Sequence, residues 1–355
     1  MDLVVFLILA LLGSKMSSAS SAGHATCEAR DLSPFQKLRR RSFEVIIYSR
    51  VMKTGSSSFL QALKHGRCTK DGLGPLILDD QSFGHDDRSW ATIKSASQGR
   101  DVWLSGHSTV WLDQDAVKNV RDVSVREDVR GSKRLSSMDK MVLQTHRQVW
   151  ITVFRSPDVW LRSFYMHGGG QTTGFIEHAM GRGLQMMAEH YLMMLPARLA
   201  APFFDWKNEF VGGLPVFNKQ LRREVYNRTK PPTKVSVHAT TTFMSAVDFE
   251  GIECHLRQNM FTLLTEYMET SLALLSYALY EETNCLLSEK NGAPVMNRAQ
   301  WGKKVNIAED IPSLLLDMSR LAPILAPYQS VYGIALRVFA DAVREAKVAG
   351  AIFDE

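Results

Sequence analysis

The stretch "MKTGSSS", Met52 to Ser58, places one lysine, one glycine and four hydroxyl residues in seven positions. It follows the apolar run "VIIYS" and precedes "FLQAL", an order that predicts strand, turn and helix. Such a turn offers backbone N–H groups and the positive end of a helix to an anion. Lys53 adds a point charge, and Thr54, Ser56, Ser57 and Ser58 add hydroxyl donors. A Walker A loop is excluded, because GxxxxGK[ST] places its lysine after the second glycine, whereas Lys53 precedes the only glycine of this stretch. Taken alone, the stretch is equally an ordinary turn with an N-capping serine.

A second stretch, "VWITVFRSPDVWLRSFYMHG", repeats the order of strand, turn and helix. Arg155 stands at the strand end, Pro157 sets the turn, and Ser163 and Tyr165 fall on the helix behind it. An arginine fork beside a helix-borne hydroxyl suits a phosphate monoester. Two such sites on neighbouring strands imply a ligand with two separated anionic groups.

KTGSSS and RSPxxxxxSxY together resemble the two signatures of sulfotransferases that use 3′-phosphoadenosine 5′-phosphosulfate. The similarity points to the Golgi carbohydrate branch, above all the enzymes acting at the uronic acid 2-O position of heparan or dermatan sulfate or at the 3-O position of galactose. It runs from about Val45 to Tyr165 with a long insertion, returns weakly at "TEYMETSLALL", and ends around "APYQSVYGIA". The resemblance implies that Lys53, Thr54, Gly55, Ser56, Ser57 and Ser58 hold the 5′-phosphosulfate, and that Arg155 and Ser163 grip the 3′-phosphate. Two departures bear on the donor. Many members carry Arg-Asp-Pro and a further arginine three residues after the proline; this chain has Arg155-Ser156-Pro157 and then Trp160. Either Arg162 compensates from the helix or the donor binds more weakly. Ser57 stands where threonine is common and keeps the hydroxyl.

Sulfuryl transfer needs an acceptor hydroxyl in line with sulfur, a base for its proton, and positive charge on the leaving phosphate oxygen. Lys53 is suited to the last, and the logic requires no metal. His107, in "DVWLSGHSTVWL", falls just beyond a strand, at the edge where α/β proteins bind ligands, and an imidazole with a pKa of about 6.5 suits the task. It also matches the Gly-His of the uronyl 2-O-sulfotransferases, in which the histidine is the expected base. A solvated loop histidine is the plain alternative, and His146 precedes the next strand on the opposite edge. Glu266 coincides with the acid that begins the family's helix after its last core strand, and a structural or capping role outweighs acceptor contact. "HGGGQTTG" (167–174) reads as a loop. "NRAQWGKKVN" lies where the family places a loop near the adenine, which would make Arg298, Lys303 and Lys304 donor contacts; a solvated basic loop is the alternative.

The elements that position these residues are three nearly continuous apolar segments, 43–49, 101–106 and 148–154, patterned as parallel strands covered on both faces. Residues 113–147 are charged, lack sustained periodicity and read as a surface excursion. Met268, Leu272, Leu275 and Leu279 recur at helical spacing behind Thr265, which stands where an N-cap would be. Tyr328, Val331, Ala335 and Phe339 do the same after a proline that suits a helix start. The expected fold is α/β: a P-loop-like three-layer fold with a central parallel sheet flanked by helices and a helix-rich C-terminal half.

The chain has 355 residues, 45% hydrophobic and 22% charged, enough for one large domain. Of its net charge of +5, residues 1–42 carry six basic against three acidic side chains, so any basic surface on the remainder is local. The apolar run from Leu3 to Leu12 is short against about 30 Å of hydrocarbon and reads as a signal peptide core or a short signal anchor over residues 1–22, with a cytosolic start as the third option. Residues 23–42 read as a stem and 43–349 as the sulfotransferase domain. The sequon Asn227-Arg228-Thr229 suits a lumenal glycoprotein. Cys27, Cys68, Cys254 and Cys285 lack zinc spacing and allow one or two disulfides or buried thiols.

The leading expectation is therefore a Golgi-lumenal transferase, type II membrane protein or cleaved, that moves a sulfuryl group onto a glycan acceptor, with no nucleic acid partner and no metal. A P-loop kinase and a catalytically inactive binder of nucleotide or glycan are the alternatives.

Overall fold

The structure, a computed structural model, describes residues 32–51, 54–68, 75–79, 90–106, 147–160, 163, 195, 199, 210–211, 214–215, 247–287 and 318–353. Lys53, His107, Arg298, Lys303 and Lys304 lie outside these residues, as do His146, Arg162, the sequon, the 167–174 loop and the apolar run at 3–12. Among the described residues no helix is long and apolar enough to cross a membrane.

Five parallel strands form the central sheet: β1 (Val45–Ser49), β2 (Leu76–Asp79), β3 (Val102–Gly106), β4 (Gln148–Phe154) and, after a separate antiparallel ribbon of β5 (Phe210–Val211) and β6 (Leu214–Pro215), β7 (Met260–Leu264). Their order is β2-β3-β1-β4-β7. The three strands expected from the apolar runs are present with nearly the expected bounds. β1 and β7 are buried along their whole length, as β-branched and apolar runs must be when both faces are covered. Alternate residues serve opposite faces: Ile46, Tyr48 and Trp103 join one apolar cluster, while Val45, Ile47, Val102 and Leu104 join another.

Among the described residues the sheet is accompanied by α1 (Pro34–Arg39), α2 (Ser56–His65), α3 (Trp90–Ser97), α4 (Phe249–Asn259), α5 (Met268–Tyr280) and α6 (Met318–Val348). α2 follows β1 and packs Phe59 against Tyr48, with ring centroids 4.5 Å apart. α5 is buried nearly all round, as its near-continuous apolar composition dictates. Its two central serines serve neighbouring backbone: Ser271 donates to Leu264 O and accepts from Leu264 N, and Ser276 accepts from Leu286 N.

Several expectations need correction. The 23–42 stem ends too late, because α1 belongs to the folded body. Ser33 caps it by accepting from Gln36 N and donates to Glu345 of α6, while Phe35 and Leu38 enter the core. The basic run is likewise structural: Lys37 donates to Gln258 O, Arg39 stacks over Tyr277, and Arg41 binds Asp101 and Leu279 O. Thr265 caps no helix; the N-cap of α5 is Tyr267, without a side-chain bond. Pro327 does not begin α6, which runs through it, since Leu325, Tyr328 and Val331 continue a buried stripe across it. Of the two readings left open for the cysteines, the disulfide one holds for the three that are described. Cys68 is bonded to Cys285, 217 residues away, and Cys254 is disulfide-bonded as well.

α4 and α6 are joined by charge. Glu253 accepts from Arg257 at 2.8 Å and from Arg337 at 2.5 Å, and Arg257 also binds Asp341. Burial alone would raise the Glu253 pKa, but the two arginines outweigh it and hold the carboxyl below the usual range. A depressed folded pKa stabilises above the unfolded value, and that contribution is lost as pH falls through the folded one. Thermal unfolding followed against pH should therefore drop more steeply below about pH 4.5 in wild type than in Glu253→Gln. Replacing Cys68 and Cys285 together by serine should cost about 2–5 kcal/mol in a denaturant titration under non-reducing conditions.

Candidate functional site

The chain leaves β1 toward β2 on one side of the sheet and leaves β4 toward β7 on the other. Loops that diverge in this way open a crevice at the carboxyl edge, where α/β proteins bind ligands. Both candidate anion turns stand there, since β1 and β4 are adjacent, parallel and in register from Val45 against Gln148 to Ser49 against Thr152.

The first turn is built around Gly55, whose φ of 76° is left-handed and favours glycine. Gly55, not a serine, is the N-cap of α2, and no side chain caps that helix. The reading of an ordinary serine-capped turn is thus not what the chain adopts. A Cβ on Gly55 would also meet Met268 Cε at 3.0 Å. Thr54 turns away from the crevice: its hydroxyl is fully buried and donates to Val51 O at 2.8 Å. Its carbonyl is taken as well, by the Thr265 hydroxyl. Of the three serines that open α2, Ser56 is buried, Ser58 half-buried and Ser57 exposed.

The second turn follows β4. Arg155 is half-buried, helical structure starts at 157, and Ser163 is half-buried on it. Ser156 is already committed on both its donors: its N–H donates to Glu266 Oε1 at 2.8 Å and its hydroxyl to Asp158. An anion here would be gripped by the Arg155 and Ser163 side chains rather than by the Ser156 amide. Trp160 is fully buried in the core. The position that carries an arginine in many sulfotransferases therefore faces inward in this chain and supplies no charge.

Glu266 acts structurally. Besides Ser156 N it accepts from the Tyr332 hydroxyl of α6 at 2.8 Å. Burial, followed by the Glu266 charge and hydrogen bond, pushes the Tyr332 pKa up, which keeps its proton in place as donor. Thr265 was overlooked as a site residue. Its hydroxyl lies 2.8 Å from Thr54 O and 3.1 Å from Phe154 O, so it touches the approach to both turns. The sequence signal was a polar Thr-Glu pair directly after the apolar pentad Met260–Leu264.

Below the turns, Ser49, Thr152 and Thr262 form a buried row of hydroxyl residues across three strands in register. No group of histidine, cysteine or acidic residues able to hold a metal occurs among the described residues. His107 directly follows Gly106, the last residue of β3, which pairs with Ser49 of β1.

Gly55→Ala should lower the unfolding free energy by about 1–2 kcal/mol, from the left-handed backbone alone. Urea titration measures it; an unchanged midpoint would show that the turn tolerates a side chain.

Compared with protein-family models, curated proteins and solved structures, the chain matches none.

Proposed function

We propose that the chain is a carbohydrate O-sulfotransferase using 3′-phosphoadenosine 5′-phosphosulfate. One observation carries most of the weight: the glycine turn after β1 and the arginine turn after β4 share one edge of the sheet, on adjacent parallel strands. That arrangement suits a ligand with two separated anionic groups. The strand order, with a glycine turn and helix directly after the central strand, also fits a P-loop-like three-layer architecture.

In this reading the uncapped end of α2 receives the 5′-phosphosulfate, with Ser57 and Ser58 as hydroxyl donors and Lys53 neutralising the leaving oxygen. Arg155 and Ser163 hold the 3′-phosphate. Arg298 and Lys303 remain proposed donor contacts on sequence grounds. The acceptor hydroxyl oxygen attacks sulfur in line, the bond from sulfur to the phosphate oxygen breaks, and adenosine 3′,5′-bisphosphate leaves. His107 takes the hydroxyl proton. The acceptor is a glycan, at a uronic acid 2-O or galactose 3-O position. The Cys68–Cys285 disulfide favours an oxidising compartment, in keeping with the secretory pathway and a Golgi lumen.

A second reading, a binder that keeps the fold without turnover, is favoured by the second turn. There Trp160 is buried and the Ser156 amide is occupied by Glu266. Incubation with radiolabelled donor and a panel of glycans separates the two, and linkage analysis of the product names the position. Lys53→Ala and His107→Ala should each reduce kcat by about a hundredfold or more, whereas Arg155→Ala should chiefly raise the donor Kd. Donor binding without transfer to any acceptor would establish the binder, and absence of both transfer and affinity for adenosine 3′,5′-bisphosphate would end the sulfotransferase reading.

A further inference from the structure

Thr265 and Glu266, consecutive residues just past β7, reach both anion turns. The register of β1 with β4 runs as far as Ser49 and Thr152, and beyond those residues the two chains lead into separate turns. Thr265 bridges them there. Its backbone N–H donates to Phe154 O at 2.8 Å, extending the ladder between β4 and β7 by one step. Its side-chain oxygen sits within hydrogen-bond distance of both Thr54 O and Phe154 O. A hydroxyl has a single proton, so the two carbonyls share it.

Those carbonyls belong to the 54–55 and 154–155 peptides. A trans peptide is planar, so turning its C=O toward Thr265 turns the N–H of the following residue the opposite way. Thr265 therefore fixes both the separation of the turns and the direction of the Gly55 N–H that opens the first. Gly55 lies beside this contact: a Cβ there would stand in ordinary van der Waals contact, 3.7 Å, with Thr265 Cγ2. Glu266 completes the brace by tying Ser156 N to Tyr332 of α6.

We propose that Thr265 is a positioning residue that sets the span between the two turns and so selects a nucleotide with two separated phosphate groups over one with a single phosphate group. The assignment rests on the donor reading given above. A ligand held by one turn is indifferent to the span; a ligand held by both is not.

Titration calorimetry on the full chain with adenosine 3′,5′-bisphosphate and with adenosine 5′-phosphate tests it. Thr265→Val keeps the shape and removes the hydroxyl. It should raise the Kd of the bisphosphate about tenfold, the worth of one hydrogen bond, and that of the monophosphate, which meets the Gly55 turn alone, far less, while Thr265→Ser restores wild-type affinity. Amide hydrogen exchange should quicken together at 54–58 and 156–160 in Thr265→Val; Thr265→Ala is a second variant without the hydroxyl should the valine misfold. Equal loss for both nucleotides, no recovery with serine, or faster exchange at one turn alone would overturn the role of Thr265 while leaving the donor reading standing. Wild-type protein that binds neither nucleotide overturns the donor reading and the selectivity together.

Discussion

Register pairs from Val45 against Gln148 to Ser49 against Thr152 hold β1 beside β4, and the arrangement of the carboxyl edge depends on that pairing. Parallel neighbours end on the same side, so the segments that leave them start out a strand's width apart. One segment then leads toward β2 and the other toward β7, so they part on either side of the gap between them. Everything added later works on this gap. Gly55 opens its first wall, Arg155 stands on its second, and Thr265 holds the two at a set distance.

Polar side chains do a common task throughout the body: they receive main-chain groups where regular pairing stops. Ser271 binds both backbone groups of Leu264 at the end of β7, Ser276 binds Leu286 N beyond α5, and Arg41 binds Leu279 O near the end of α5. The two serines are residues that a pattern of apolar and polar positions would assign to solvent, yet they are buried where a backbone group needs a partner, while Arg41 makes its contact from an exposed position. Glu266 belongs with them. It occupies the Ser156 amide, so that in the proposed donor site an anion at the second turn would rely on the side chains of Arg155 and Ser163.

How much was legible follows from the same physics. The strands at 43–49, 101–106 and 148–154 announce themselves through β-branched and aromatic runs bounded by polar turns, and the buried faces of α5 and α6 through helical spacing. β2 escaped because it has four residues, and β7 because of its neighbours. β7 lies directly between two helices, so its five apolar residues cannot be told from a buried helical segment by periodicity. Missing β7 hid the role of Thr265, which looks like a cap when the strand before it is not seen. The inward turn of the Thr54 hydroxyl and the burial of Trp160 were equally out of reach, since a sequence states which side chain is present but not which way the backbone aims it. α1 was misread for a compositional reason: four basic residues in five positions, 37–41, suggest a solvated linker until their partners, brought from 101, 258, 277 and 279, are in place.

The position of Thr265 in the chain has a consequence for biosynthesis. A polypeptide emerges from the ribosome N-terminus first, at about 5–20 residues per second. The glycine turn and the arginine turn are both made well before the residue that spaces them, and the helix following the first turn is later secured through Cys68 to residue 285. The crevice is thus a late product of synthesis. Until about three quarters of the chain has been translated, a nascent protein holds two separate turns with nothing from β7 to join them.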